Sequence, residues 1–97
     1  MQRDEVIRIL RENRDELNRQ FGVETIRLFG SVARDEAGTD SDVDVLVGFS
    51  SPPSLFGFLR LKAHLQDLLG VSVDLVTEAG LRDTVRPYVE ADAVNVA

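Results

Sequence analysis

Ninety-seven residues, 43% of them hydrophobic, suffice for one packed core but not for a second, so residues 1–97 are read as a single domain. No apolar run approaches the roughly 20 residues that cross a membrane, the opening Arg3, Asp4 and Glu5 are unlike a signal peptide, and the absence of cysteine excludes disulfides and thiolate metal sites. Eleven basic residues against seventeen acidic ones give a net charge of −6, which disfavours nonspecific binding to nucleic acid; a cytoplasmic location is expected.

In chain order, Asp4 to Phe21 is predicted to form one amphipathic helix, with Val6, Leu10, Leu17 and Phe21 at near-helical spacing and Gly22 as its stop. Val23 to Phe29 is a short apolar run with β-branched residues between two glycines, and reads as a strand. Gly30 then permits a turn and a close approach of ligand to backbone, while Ser31 can cap a short helix over Val32 to Glu36. The free N–H groups at that helix start would face an anion such as a phosphate. A Gly-Ser pair before a helix is also an ordinary cap, so alone it is a weak signal. Two roles are open to Arg34, one helical turn after Ser31: contact with the phosphate, or ion pairing that braces the acidic loop.

Val43 to Phe49 is the second predicted strand, and Asp42 and Asp44 stand at its start. Alternation puts both carboxylates on one face, roughly 6.5 to 7 Å apart along the chain, where they can converge on a hard cation. Magnesium suits such a pair, because it takes few protein oxygens and completes its shell with water and substrate phosphate. An isolated Asp-x-Asp is more often an acidic loop; the Gly-Ser pair and a third carboxylate favour the metal site here. Asp40, Asp42 and Asp44 imitate the opening of an EF-hand loop, but the required glycine falls at Val45 and the closing glutamate at Ser51, which excludes it. No Gly-x4-Gly-Lys phosphate loop is present.

After Pro52 and Pro53, Ser54 can cap a long helix ending at Gly70, in which Leu55, Leu59, Leu65 and Leu68 are expected to face a sheet. His64, within it, has no second ligand nearby in sequence and reads as a surface or packing residue. The third predicted strand, Val71 to Val76, has Val71, Val73 and Leu75 on one face and Asp74 among Ser72 and Val76 on the other. An ionised group inside an apolar strand is costly without a partner. That partner is either a metal shared with Asp42 and Asp44 or a salt bridge to Arg27 or Arg34. With a metal, Asp74 would bind a second ion or accept the proton of an attacking hydroxyl. A short helix over Thr84 to Ala91, with Pro87 in its first turn, and an edge strand over Val94 to Val96 complete the chain.

Ser31 follows the end of the first strand, whereas Asp42 and Asp44 begin the second. Neighbouring strands must therefore run antiparallel for these ends to meet. With Asp74 on the third strand, the expected class is α/β (α+β): a small mixed sheet covered by helices, its open side the active site.

Gly30-Ser31, a ten-residue spacer, Asp42-Val43-Asp44 and Asp74 on a later strand together resemble the nucleotidyltransferase superfamily that includes DNA polymerase beta. The Gly30-Ser31-Val32-Ala33-Arg34 stretch and the Val73-Asp74-Leu75-Val76 strand resemble, more closely, the minimal nucleotidyltransferase (MNT) antitoxins encoded beside HEPN-domain ribonuclease toxins. The resemblance covers nearly the whole chain and implies a minimal nucleotidyltransferase fold. It assigns nucleotide phosphates to Gly30 and Ser31 and magnesium to Asp42, Asp44 and Asp74. It further implies transfer of AMP from ATP to a tyrosine of a HEPN toxin partner, in a hetero-oligomer, with no direct nucleic-acid binding. Two other readings stand beside it: a binding module that masks the toxin without chemistry, and transfer of AMP to a small molecule such as an aminoglycoside. Enzymes of the last kind usually add a domain to shape the acceptor pocket.

Overall fold

The computed structural model describes residues 1–36 and 42–96. The helix α1 (Arg3–Glu12) is followed by α2 (Arg14–Phe21), β1 (Val23–Phe29), α3 (Gly30–Ala33), β2 (Val43–Phe49), α4 (Leu55–Leu69), β3 (Val73–Thr77), α5 (Arg86–Asp92) and β4 (Val94–Asn95). Among the described residues the strands form one sheet in the order β3-β2-β1-β4, with β1 antiparallel to both β2 and β4 and β3 parallel to β2. This is the mixed sheet that the motif ends required.

The predicted N-terminal helix is divided at Asn13. Its side-chain Nδ2 donates to the Ile9 carbonyl at 2.8 Å, as an asparagine competing with the helix backbone does, and α2 restarts from the Asn13 carbonyl, which accepts from Leu17 N at 2.9 Å. The apolar stripe survives the break: Val6, Leu10 and Leu17 are buried and Phe21 packs against them. They meet one face of the sheet, where Ile26, Leu28, Val43, Val45, Val47, Val73 and Leu75 alternate inward, and Leu61, Leu65 and Leu69 of α4 close the same core.

Ser54 caps α4 as expected, its hydroxyl accepting from Gly57 N at 3.0 Å. The buried face of that helix differs from the predicted one. Leu65 is buried and Leu68 packs against the core, but Leu55 and Leu59 are 70% and 49% exposed. At 100° per residue, Leu59 stands about 120° around the helix from Leu65, outside the stripe that recurs every four residues through Leu61, Leu65 and Leu69. His64 is a packing residue, its ring 5.3 Å from that of Phe21. The third strand starts at Val73 rather than Val71, and its first N–H donates to the Gln66 side chain of α4, at 3.1 Å.

The opposite face of the sheet carries Arg27, Asp44, Leu46 and Asp74 by strand alternation and register. Part of it lies under α5, where Arg27 forks onto Glu78 at 2.8 to 3.0 Å and Arg86 and Glu90 join the same ionic cluster. The remainder, around the two aspartates, is open.

Candidate active site

The chain leaves β1 extended at Phe29 and reverses at Gly30, whose φ of +73° lies in the left-handed region. A side chain here would be strained, and it would also collide: a Cβ on Gly30 would run into the Asp44 carboxylate, with the Asp44 Cγ only 3.0 Å away. The glycine therefore lets the Asp44 carboxylate lie directly on the backbone that precedes Ser31.

Ser31 does not cap the helix as expected. It is the second residue of α3, the cap position belongs to Phe29, and no side-chain cap bond forms. The helix proper is a single turn ending at Ala33, shorter than the predicted Val32 to Glu36. A phosphate bound here would rest on individual N–H groups and the Ser31 hydroxyl, since one turn aligns too few peptide dipoles for a strong macrodipole. The spacer residues 37–41, with Asp40 among them, lie outside the described residues.

Strand register assembles the carboxylates. Asp44, second in β2, is paired across the sheet with Phe29 on one side and Asp74 on the other. Asp42 lies one residue ahead of β2 and is exposed. Asp74 is exposed too, so the expected burial cost of its charge does not arise: its face of β3 opens to solvent. The alternative salt bridge is also not formed, because Arg27 is held by Glu78 and Arg34 by Glu36 and Asp92. Burial pushes the Asp44 carboxyl up from 3.8 to about 6, helped by the charge of Asp74, a hydrogen bond shared with it, and the charge of Asp42; Arg34 partly opposes this.

Crowded carboxylates, with Asp44 partly buried between its neighbours, are a donor set short of positive charge. As the side chains stand, no group of three His, Cys, Asp or Glu residues among the described residues is drawn together around an ion. Magnesium does not require such a cage, since one or two carboxylates and a substrate phosphate complete its protein share. Asp42 and Asp44, with Asp74 adjacent, fit that requirement.

Arg34 sits at the rim, donating from Nη1 to Asp92 at 2.6 Å and from Nε to Glu36 at 3.1 Å. The bracing role open to it is thus occupied, with a partner that sequence reasoning missed: 58 positions separate Asp92 from Arg34, and no motif contains it. The apolar groove of about 400 Å³ between Pro52, Pro53, Leu55, Phe58 and Thr77 lies elsewhere. Thr77 is three residues along β3 from Asp74, about 10 Å away at strand rise.

Similarity to known proteins identifies the family. A protein adenylyltransferase MntA of Thermococcus cleftensis is 43% identical over 93 residues, covering 96% of this chain and 94% of its own. A minimal nucleotidyltransferase of solved structure superposes with a TM-score of 0.79 at 44% identity, covering 97% of this chain and 95% of that one. A chain from a structure of a tri-AMPylated Shewanella oneidensis HEPN toxin in complex with MNT antitoxin shares the fold with a TM-score of 0.64 at 21% identity, over 98% of this chain and 68% of that one. The nucleotidyltransferase domain family matches residues 9–95. This chain therefore belongs to the nucleotidyltransferase domain family and, within it, to the minimal nucleotidyltransferases.

Proposed function

We propose that the chain is a cytoplasmic antitoxin that transfers AMP from ATP to a tyrosine of a cognate HEPN toxin, with magnesium as cofactor. The observation that carries this reading is the register that sets Asp44 beside Asp74 and against Gly30. Gly30 and Ser31 offer backbone N–H groups and a hydroxyl to the triphosphate. Bound magnesium, held by Asp42 and Asp44, would neutralise the phosphate charge and that of the departing pyrophosphate. Asp74, exposed at the rim, would meet the incoming phenol and accept its proton. The tyrosine oxygen forms a bond to the α-phosphorus, the bond from that phosphorus to the β-phosphate bridge breaks, and pyrophosphate leaves. Most of the acceleration comes from alignment and charge complementarity, because the chain supplies no covalent intermediate. The MntA name of the Thermococcus relative supports adenylyl transfer to protein, and the complex with a tri-AMPylated HEPN toxin supports the partner.

The test is intact-mass measurement of the HEPN protein after incubation with this chain, ATP and magnesium, beside the Asp42→Asn, Asp44→Asn double variant. A gain of one or more AMP units with wild type and none with the variant is expected. A second reading, neutralisation by binding alone, is favoured by the exposed Leu55, Phe56 and Leu59 on the first turns of α4, an apolar surface suited to a partner. A stable complex without mass gain would establish that reading in place of the first.

A further inference from the structure

Arg34 caps the C-terminal end of the α3 turn, which opens at Gly30 against the Asp44 carboxylate. It also lies three residues after Ser31, on the same side of the α3 turn, where a triphosphate bound at Gly30 and Ser31 would pass. Arg27 and Arg86, the other arginines near this face, are committed to Glu78 and Glu90. A long, half-exposed arginine left to itself samples many rotamers, and each contact it makes then carries an ordering cost.

Asp92 removes that freedom. Its Oδ2 accepts from Arg34 Nη1 at 2.6 Å and is the more sheltered end of the pair, with a side chain 26% exposed against 44% for the arginine. The backbone beneath it is fixed on both sides. Before it, α5 is tied to the sheet through Arg27 and Glu90 and through Arg86, which donates to the Glu78 carbonyl at 3.0 Å. After it, β4 pairs with β1 at Val94 and Leu28, and Val96 N donates to the Ile26 carbonyl at 2.9 Å. Glu36, the other partner of Arg34, is only two residues away and 67% exposed, so it has no comparable anchor. A guanidinium has five N–H donors, and the bonds to Glu36 and Asp92 use two of them, so the pairing orients Arg34 without exhausting it.

We propose that Asp92 is a positioning residue for nucleotidyl transfer, holding the Arg34 guanidinium beside Ser31 and Asp44 for contact with the triphosphate. This rests on the nucleotidyl-transfer reading above and adds to it a role for the C-terminal segment, which no active-site motif includes.

The experiment is calorimetric binding of AMP-PNP with magnesium to wild type, Asp92→Asn, Asp92→Glu, Arg34→Ala and the Arg34→Ala, Asp92→Asn double variant, with a melting curve for each. Asp92→Asn should weaken binding roughly tenfold, the scale of one charge-assisted hydrogen bond, and Asp92→Glu should recover most of it. In the Arg34→Ala background, Asp92→Asn should have no further effect, a coupling that a merely structural role would not produce. An unchanged affinity in Asp92→Asn, or an equal loss with and without Arg34, would overturn the assignment. If wild type binds AMP-PNP but adds no AMP to a HEPN protein, the acceptor reading fails while the coupling is still scored. If wild type does not bind, both fail.

Discussion

Gly30 and Gly70 share a left-handed backbone, with φ of +73° and +71°, in opposite surroundings. A Cβ at Gly70 meets nothing within 4 Å, whereas one at Gly30 runs into the Asp44 carboxylate. Alanine at position 70 therefore carries only the conformational penalty, about 1 kcal/mol, or a fall in melting temperature of roughly 4 to 8 °C in a domain of this size. Alanine at position 30 carries that penalty and also drives Asp44 from its place between Phe29 and Asp74. Gly70→Ala should keep its transferase activity and Gly30→Ala should lose it, measured as AMP incorporation at a temperature where both are folded. Full activity in Gly30→Ala would show that the close approach of glycine and carboxylate has no part in the chemistry.

Helix α4 separates a sequence pattern from its three-dimensional use. Leucines recur along it so often that several stripes look equally apolar, and only the packing partners decide among them: Leu61, Leu65 and Leu69 are buried, while Leu55 and Leu59 are not. Leu65→Ala should then destabilise by about 2 to 5 kcal/mol and Leu59→Ala by no more than about 0.5 kcal/mol, read from urea unfolding. Equal losses would put the two side chains in equivalent surroundings and contradict the helix orientation. The same contrast explains what else was legible. Strands β1 and β2, the Ser54 cap and the antiparallel pairing follow from local signals: β-branched runs, bounding glycines, and motif ends that must meet. The break at Asn13 and the pairing of Arg34 with Asp92 depend on side chains finding partners, the second on a partner brought in by another element. For the candidate site, the motif supplied the residue types, and the parallel register of β2 and β3 supplied the adjacency of Asp44 and Asp74 that spacing could not fix.

At the scale of the whole molecule, the candidate site has no single owner. Gly30 comes from the β1 to α3 junction, Asp44 from β2, Asp74 from β3 and the Arg34 brace from α5, so unfolding scatters every group that would hold nucleotide and cation. A ligand that binds only the folded chain stabilises it by mass action, about 2.7 kcal/mol at one hundred times its dissociation constant. In a domain of this size that amounts to a rise in melting temperature on the order of 10 °C. The carboxylates add a condition. Asp42, Asp44 and Asp74 repel an approaching triphosphate, and the burial and crowding that push Asp44 up to about 6 are relieved only by positive charge. Magnesium alone and ATP alone should each shift the melting temperature little, and the two together much more than the sum. Exchanging Asp42 and Asp44 for asparagine removes most of the repulsion together with the cation site, so the synergy should vanish in the double variant even where some ATP binding through Gly30 and Ser31 persists. A strictly additive response in wild type would mean that nucleotide and cation occupy separate places, and the shared site drawn from Asp42, Asp44 and Asp74 would have to be abandoned.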